Sequence, residues 1–535
     1  MKRLQDLIAR AAAPLLACGV APFTLADAAT TPERPNVLLI VCDDLNDAVE
    51  CFGGHPQAYT PNLDAFAQTG VRFQRAYTNN PVCAPARASF LLGQYNHTSG
   101  NLFWGKWREN EVQRNSHTLM SFFRENGYHT AGTGKLMHHF HRPEWTQWGH
   151  DQDYGPTAWN GEKRVGHPDV PAPFREIGPI DGSYGPLSGV TFDGADGGGW
   201  SVGPWNDIRP WRYDSESDRD PTPDERNAAW AADFIRNYDG RGLDKPFFLG
   251  VGFIRPHTPM HAAQRFFDLF PIENVELPPI KWDDTNDTHW IEVFGKDRKG
   301  PKYYIEIGKS YPTIEDGLKA YIQAYLACVA AVDHNISVVL DALDNSPHRD
   351  NTIVIITSDH GFHLGEKEQL FKGSPWEEST RVPLIVRAPG VTPEGADAGH
   401  PVSLVDLYPT LIDLCGLEGD TRKNAKGKPL DGFSMRPFLE NPEHGVWDGP
   451  PSALTMVYGG WDYRDTTDQH NWTLRSQRYR YIRYRDGGEE LYDHDADPHE
   501  WHNLANDPAQ ADTLASFRQE LHDRLPEAYR PAPRQ

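Results

Sequence analysis

Pro35-Asn36-Val37-Leu38-Leu39-Ile40-Val41-Cys42-Asp43-Asp44 is the stretch that decides the fold. Its aliphatic residues run on without polar alternation, the pattern of a strand buried on both faces of a parallel sheet. It stops on two carboxylates. Ligands in open α/β sheets gather beyond the carboxyl ends of strands, so Asp43 and Asp44 stand where a site is expected. Adjacent acids are also common in solvated turns and caps, and alone they would carry no function.

Other strands change that balance. Asn351 to Ser358 is a second β-branched run and delivers Asp359-His360-Gly361 at its end. Ahead of it, Gly317 to Leu343 places Ala320, Ile322, Tyr325, Leu326, Val329, Val332 and Ile336 at helical intervals, which predicts a long amphipathic helix. Pro246 to Phe253 is a third run and leads into Arg255-Pro256-His257-Thr258-Pro259; a fourth, Val382 to Ala388, follows Lys372. Helix alternating with buried strand is the α/β pattern. Asp43, Asp44 and Asp359 form an oxygen-donor set suited to a hard cation, calcium or magnesium, with His360 beside them, and nothing in the cysteine spacing suggests zinc.

Composition sets outer limits. With 535 residues the chain exceeds the size of one growing core, so a large domain plus a smaller one is expected. Acids outnumber bases 75 to 52, a net charge of -23, which opposes binding to nucleic-acid backbones. Lys2, Arg3 and Arg10, an apolar stretch from Ala11 to Leu25, and Ala26-Asp27-Ala28 read as a cleaved export signal over residues 1–28. The stretch is too short for a membrane span. The product is expected in the periplasm or secreted, with lipoprotein anchoring at Cys18 as the alternative. Six cysteines in so long a chain are no disulfide scaffold; Cys42, Cys328 and Cys415 lie in apolar runs as small buried hydrophobes.

Cys83-Ala84-Pro85-Ala86-Arg87, followed by Ala-Ser-Phe-Leu-Leu-Gly, is the remaining motif. A low-pKa nucleophile is the weaker of two readings of a thiol near a guanidinium. The run also resembles the modification signature of type I sulfatases of the alkaline phosphatase superfamily, in which the cysteine is oxidised to formylglycine. Further elements agree in order: Gly134-Lys135-Leu136-Met137-His138, Arg255-Pro256-His257-Thr258-Pro259, Asp359-His360-Gly361 with Lys372 behind it, and a tail containing Arg480-Tyr481-Ile482-Arg483-Tyr484, Glu490-Leu491-Tyr492-Asp493 and Asp497-Pro498-His499-Glu500. His360 stands where many members have Asn, as in the iduronate sulfatase branch.

This resemblance implies calcium, ahead of magnesium, bound by Asp43, Asp44, Asp359, His360 and the modified Cys83, and maturation by a formylglycine-generating enzyme. It implies that Arg87 and Lys135 flank residue 83, that Asp359 and His138 take protons from its hydroxyls, and that Lys372 and His257 engage the sulfate on the leaving-group side, His257 as general acid. The implied fold is a large, mainly parallel sheet flanked by helices, over 35–420, with an antiparallel sheet plus helix over 430–535. Residues 149–224 lack periodicity and read as long loops; Trp159, Trp200, Trp205 and Trp211 offer flat faces for a pyranose ring or pins to the core. His139, His141 and His363 lie near the motifs without an assigned role. The expected activity is hydrolysis of a sulfate ester on a sulfated carbohydrate. The alternatives are phosphonate monoester or phosphodiester hydrolysis, and a sugar-binding protein in which Cys83 stays a thiol.

Overall fold

The structure, a computed structural model, describes residues 34–531 apart from 108, 140–141, 193–196, 240–244 and 461–465. The expected signal at 1–28, Cys18 and His141 lie outside the described residues. Asn36–Asp43 is a strand buried along its whole length, near the middle of an eight-stranded sheet. The strand order is Ala396–Ala398, Val71–Phe73, Leu384–Arg387, Thr352–Ser358, Asn36–Asp43, Phe247–Pro256, His129–Gly134, Gln147–Trp148. Neighbours run parallel except at Leu384–Arg387, which opposes the strand on each side of it.

Alternation at period two assigns the core layers. Leu38, Ile40 and Cys42 point to one face, where helices Pro223–Arg236 and Ile314–Asp344 cover them. Val37, Leu39 and Val41 point to the other, against Phe90, Leu91, Phe123 and Leu411. Ile314–Asp344 starts at a reciprocal cap between Thr313 and Asp316, which satisfies orphan N–H groups of the first turn. This helix is long and apolar enough to cross a bilayer, yet 78% of its most apolar window is packed inside the protein, as befits a core helix.

Near the C-terminus, Ala453–Val457, Asn471–Arg475, Tyr479–Arg483 and Glu489–Asp493 form an antiparallel meander. Helix Ala511–Arg524 lays Leu514, Phe517 and Leu521 on Leu454, Trp472, Leu474 and Leu491, each such side chain contributing about 1.5–3 kcal/mol of burial. The opposite face of the meander packs Val457, Ile482, Tyr484 and Tyr492 on Trp290 and Trp376.

The segment 149–224 is more ordered than its aperiodic sequence predicts. Thr157–Trp159, Gly199–Val202 and Arg209–Trp211 make a small antiparallel sheet, and Tyr184–Leu187 pairs with Met260–Ala263. Strands this short are invisible to a periodicity argument. Trp200 and Trp211 are buried in this sheet's own cluster.

Candidate active site

Register brings the motifs to one edge. Cys42 lies opposite Ser358, and Asp43 opposite Pro256, so the segments after the strands ending at Asp43, Ser358 and Pro256 emerge together. The Asp359 amide donates to the Cys42 carbonyl at 3.3 Å, the His257 amide to the Asp43 carbonyl at 3.1 Å, and the Asp44 amide to Asp359 Oδ1 at 3.3 Å. Asp44 itself has φ of 67°, a left-handed conformation uncommon outside glycine that clusters at functional turns. Tyr325 donates to its carbonyl at 2.8 Å and helps to hold the turn. Lys135 reaches the edge because two glycines let backbones cross: a Cβ on Gly134 would sit 1.9 Å from the Gly252 carbonyl oxygen, and one on Gly252 would sit 2.2 Å from the Lys135 carbonyl.

Cys83 opens helix Cys83–Leu92, and Val82 provides no side-chain cap. The positive end of the helix dipole therefore faces the thiol. Pro85 fits because the first turn's N–H groups have no helical partner. Arg87, one turn on, shares the face of Cys83, which explains the spacing. Its guanidinium is fully buried: Nε donates to Asp359 Oδ2 at 2.8 Å, Nη2 to Asp43 Oδ1 at 3.3 Å, and Nη1 to the carbonyls of Lys135 and Leu136.

Cys83 Sγ lies 3.0 Å from Lys372 Nζ and 3.2 Å from His360 Nε2. Lys372 also pairs with Asp44 Oδ1, and Lys135 with Asp43 Oδ2. The weaker reading, an arginine-activated thiolate, is not supported here. Burial and then Asp43 raise the thiol's pKa, against the lowering by Lys135 and Lys372, while Arg87 is committed to carboxylates and carbonyls. Burial alone would raise Asp43, but Lys135, His257 and Arg87 outweigh it and hold it well below the carboxylate range. Asp44 is pushed up to about 7 by burial, despite Lys372 and His360.

Asp43 and Asp44 offer the oxygen donors that a hard cation takes, and with an oxygen in place of the Cys83 sulfur the set would fit one. One ligand atom from each of Asp43, Asp44, Cys83 and His360 lies within 4.8 Å of the others, and the buried Asp44 Oδ2 has no hydrogen-bond partner. His360 Nδ1 sits 3.0 Å from the Gly361 carbonyl, so Nδ1 carries the proton and Nε2 turns its lone pair toward the carboxylates. Asp359 borders the set, with Oδ1 3.7 Å from His360 Nε2 and Oδ2 held by Arg87.

Above this floor is a cavity of about 400 Å³ lined by Cys83, His138, His257 and Lys372. His257 Nδ1 donates to the Thr258 carbonyl, leaving Nε2 free at 3.8 Å from Asp44 Oδ2. Burial, then Lys372, keeps His257 well below an ordinary histidine pKa; burial and Lys135 do the same to His138. Residues that the motifs do not mark also line it: Phe103, Trp104, Tyr154, Asp181, Arg298 and Tyr458. Of the four tryptophans singled out in 149–224, Trp205 is the one that reaches this cavity. His363 is buried away from it, against Ser374 Oγ at 2.6 Å, and His139 stands behind Trp104.

Residues 35–417 match the family described as sulfatase, and 365–527 match the C-terminal region of N-sulphoglucosamine sulphohydrolase. The chain belongs to the sulfatase family. This sulfatase, a sulfuric ester hydrolase of the alkaline phosphatase superfamily, is 33% identical to a sulfatase of Formosa agariphila, over 89% of this chain and 83% of that protein. It is 30% identical to mouse iduronate 2-sulfatase, over 71% of this chain and 69% of that protein. A structure solved in complex with its substrate D-glucosamine-2-N,6-O-disulfate superposes with a TM-score of 0.63 at 22% identity, covering 92% of this sulfatase and 99% of that chain.

Proposed function

We propose that this sulfatase cleaves a sulfate ester on a sulfated carbohydrate and releases inorganic sulfate, with Cys83 converted to formylglycine and calcium held by Asp43, Asp44, Asp359, His360 and residue 83. The observation that carries the reading is the setting of Cys83 Sγ, at a helix N-terminus, 3.0 Å from Lys372 Nζ and 3.2 Å from His360 Nε2 on a floor of paired carboxylates. A hydrated formylglycine supplies a nucleophile that can be regenerated, and the cation supplies positive charge beside it.

The chain's own groups do the rest. Lys372 places positive charge against the sulfate oxygens, where charge is stabilised best away from water, and Lys135, paired with Asp43, flanks residue 83. Arg87 keeps Asp359 and Asp43 aligned by holding one oxygen of each. The neutral imidazole of His138 is in the state that accepts a proton from residue 83. His257 presents Nε2 to the cavity, and a bound anion raises its proton affinity, which suits it to protonate the departing alkoxide. Phe103, Trp104, Trp205 and Tyr458 offer flat apolar faces to a sugar ring. The iduronate 2-sulfatase relative favours a sugar ester in the same way. Export through residues 1–28 and maturation by a formylglycine-generating enzyme complete the proposal, as does a domain division between 420 and 430.

The test combines mass spectrometry of the Cys83 peptide with sulfate release from defined sulfated oligosaccharides. An aldehyde at 83 and sulfate release are expected. A quantitative thiol with sugar binding and no turnover would reassign the protein as a binding protein, and a faster reaction on phenylphosphonate esters than on aryl sulfates would reassign it to phosphonate hydrolysis. His257→Ala is expected to slow esters of poor leaving groups far more than activated aryl sulfates; equal losses would remove its acid role.

A further inference from the structure

The cations that line the cavity differ in what they face. Lys372 pairs with Asp44, and Lys299 Nζ lies 2.8 Å from Asp181 Oδ2. Asp181 is otherwise occupied by Tyr303 at 2.7 Å and Thr258 at 3.1 Å. Arg298 has no carboxylate partner among the described residues. Its hydrogen bonds run from Nη2 to the carbonyls of Gly373 and Tyr458, both at 3.2 Å. Nε and Nη1 make none within the described residues. The guanidinium is instead surrounded by rings, with Phe294, Tyr458 and Trp290 centroids at 4.0, 4.7 and 5.2 Å. Burial, despite Tyr458, lowers its pKa to about 10, so it stays charged at neutral pH.

A guanidinium partly removed from water with no carboxylate beside it among the described residues is costly, and aromatic faces return only part of that cost. It gains most when an anion docks on its unused donors. The global charge of -23 repels a polyanionic substrate, so attraction has to be local. The position is also defined. Gly373, which Arg298 holds, directly follows Lys372, whose Nζ touches Cys83 Sγ. A group bound by Arg298 therefore lies in the same cavity as the ester being cleaved.

We infer that Arg298 forms a second anion subsite, which takes a carboxylate or a further sulfate carried by the substrate, so that the substrate is a sulfated sugar bearing an additional acidic group. The inference rests on the carbohydrate sulfatase reading of this cavity.

The test uses the mature full-length enzyme and four esters: 4-methylumbelliferyl sulfate, a monosulfated neutral disaccharide, its uronate counterpart, and its disulfated counterpart. The wild type is expected to prefer one of the doubly acidic disaccharides, and which one separates carboxylate from sulfate as the natural group. Arg298→Met keeps the apolar stem; it is expected to lower the ratio of kcat/KM for the doubly acidic over the neutral disaccharide by about 10- to 100-fold, through KM, with Arg298→Lys restoring much of it. A merely structural clip would lower both substrates alike and leave the ratio unchanged, which overturns the subsite. If Arg298→Met fails to fold, competitive inhibition of the wild type decides: an unsulfated uronate disaccharide is expected to inhibit at least about tenfold better than its neutral analogue, and equal inhibition overturns the inference. Should the wild type cleave no sugar sulfate, the carbohydrate sulfatase reading falls by itself. Calorimetric binding of the uronate and disulfated disaccharides to wild type and Arg298→Met then still decides the subsite, which identical affinities would eliminate.

Discussion

Two buried ionic clusters in this molecule have nearly the same composition and opposite states. Below the C-terminal meander, both oxygens of Glu377 and of Glu500 are engaged. Glu500 receives Arg480 Nε, His494 at 2.9 Å and the Glu377 amide at 3.1 Å; Glu377 receives Arg480 Nη2, Arg475 at 3.2 Å and Tyr77 at 2.9 Å. Burial alone would raise both acids, but Arg480 and its neighbours bring Glu500 down to about 2 and hold Glu377 well below its usual range. Around Cys83 the same ingredients leave Asp44 Oδ2 without a partner and Asp44 at about 7. Donor atoms from Glu377, His494 and Glu500 also crowd together as metal ligands would, yet two arginines already supply their counter-charge. A buried carboxylate with all its bonds made stabilises a fold; one with an orphan oxygen beside a cavity is available for chemistry.

The sharpest division of the two clusters comes from Cys83→Ala. It is expected to reduce aryl sulfate turnover by about 10⁴-fold or more while leaving the unfolding midpoint close to wild type. A residual rate above about one hundredth would detach the chemistry from this cluster. Arg480→Met should do the converse, costing about 3–5 kcal/mol in denaturant unfolding because it removes the counter-charge that Glu500 and Glu377 share, with kcat per folded molecule retained. Loss of kcat without loss of stability would erase the contrast.

Smaller effects refine it. Asp44→Asn is expected to lower turnover about 10²-fold and to weaken calcium binding, measured by titration after chelation, without a matching loss of stability. A large drop in stability would mean that Asp44 is as structural as Glu500. The smallest effect is a pH dependence. Glu500 is held at about 2 in the fold, against about 4.3 in an unfolded chain. Its contribution is therefore complete above about pH 4.3 and is lost as pH falls toward 2. Thermal scans should show Tm falling across that window, and Glu500→Gln should flatten the fall by about 2–4 °C; an unchanged slope would assign the acid sensitivity elsewhere.

Much of the cavity floor was legible in the chain because its spacing is local. Cys83 and Arg87 are one helical turn apart, and Asp43, Asp44, Asp359 and His360 each follow an apolar run that announces a buried strand. The walls were not. Trp104, Asp181 and Arg298 sit in stretches without periodicity, and nothing local distinguishes Arg298 from any other surface arginine until Phe294, Trp290 and Tyr458 close around it. The small sheet at 157–211 escaped for the same reason, since strands of three or four residues carry no readable alternation.

The order of residues by itself determined a covered parallel sheet, the strand ends at which charge collects, and the one-turn relation of Cys83 to Arg87, because burial pattern and helical pitch act over a few neighbouring positions. Only the tertiary structure decided which charges are paired. Counter-ions such as Lys135 for Asp43 and Arg480 for Glu500 come from segments that meet through packing of the whole core, and Arg298 meets none among the described residues. Electrostatic energy depends on distance through space, not along the chain.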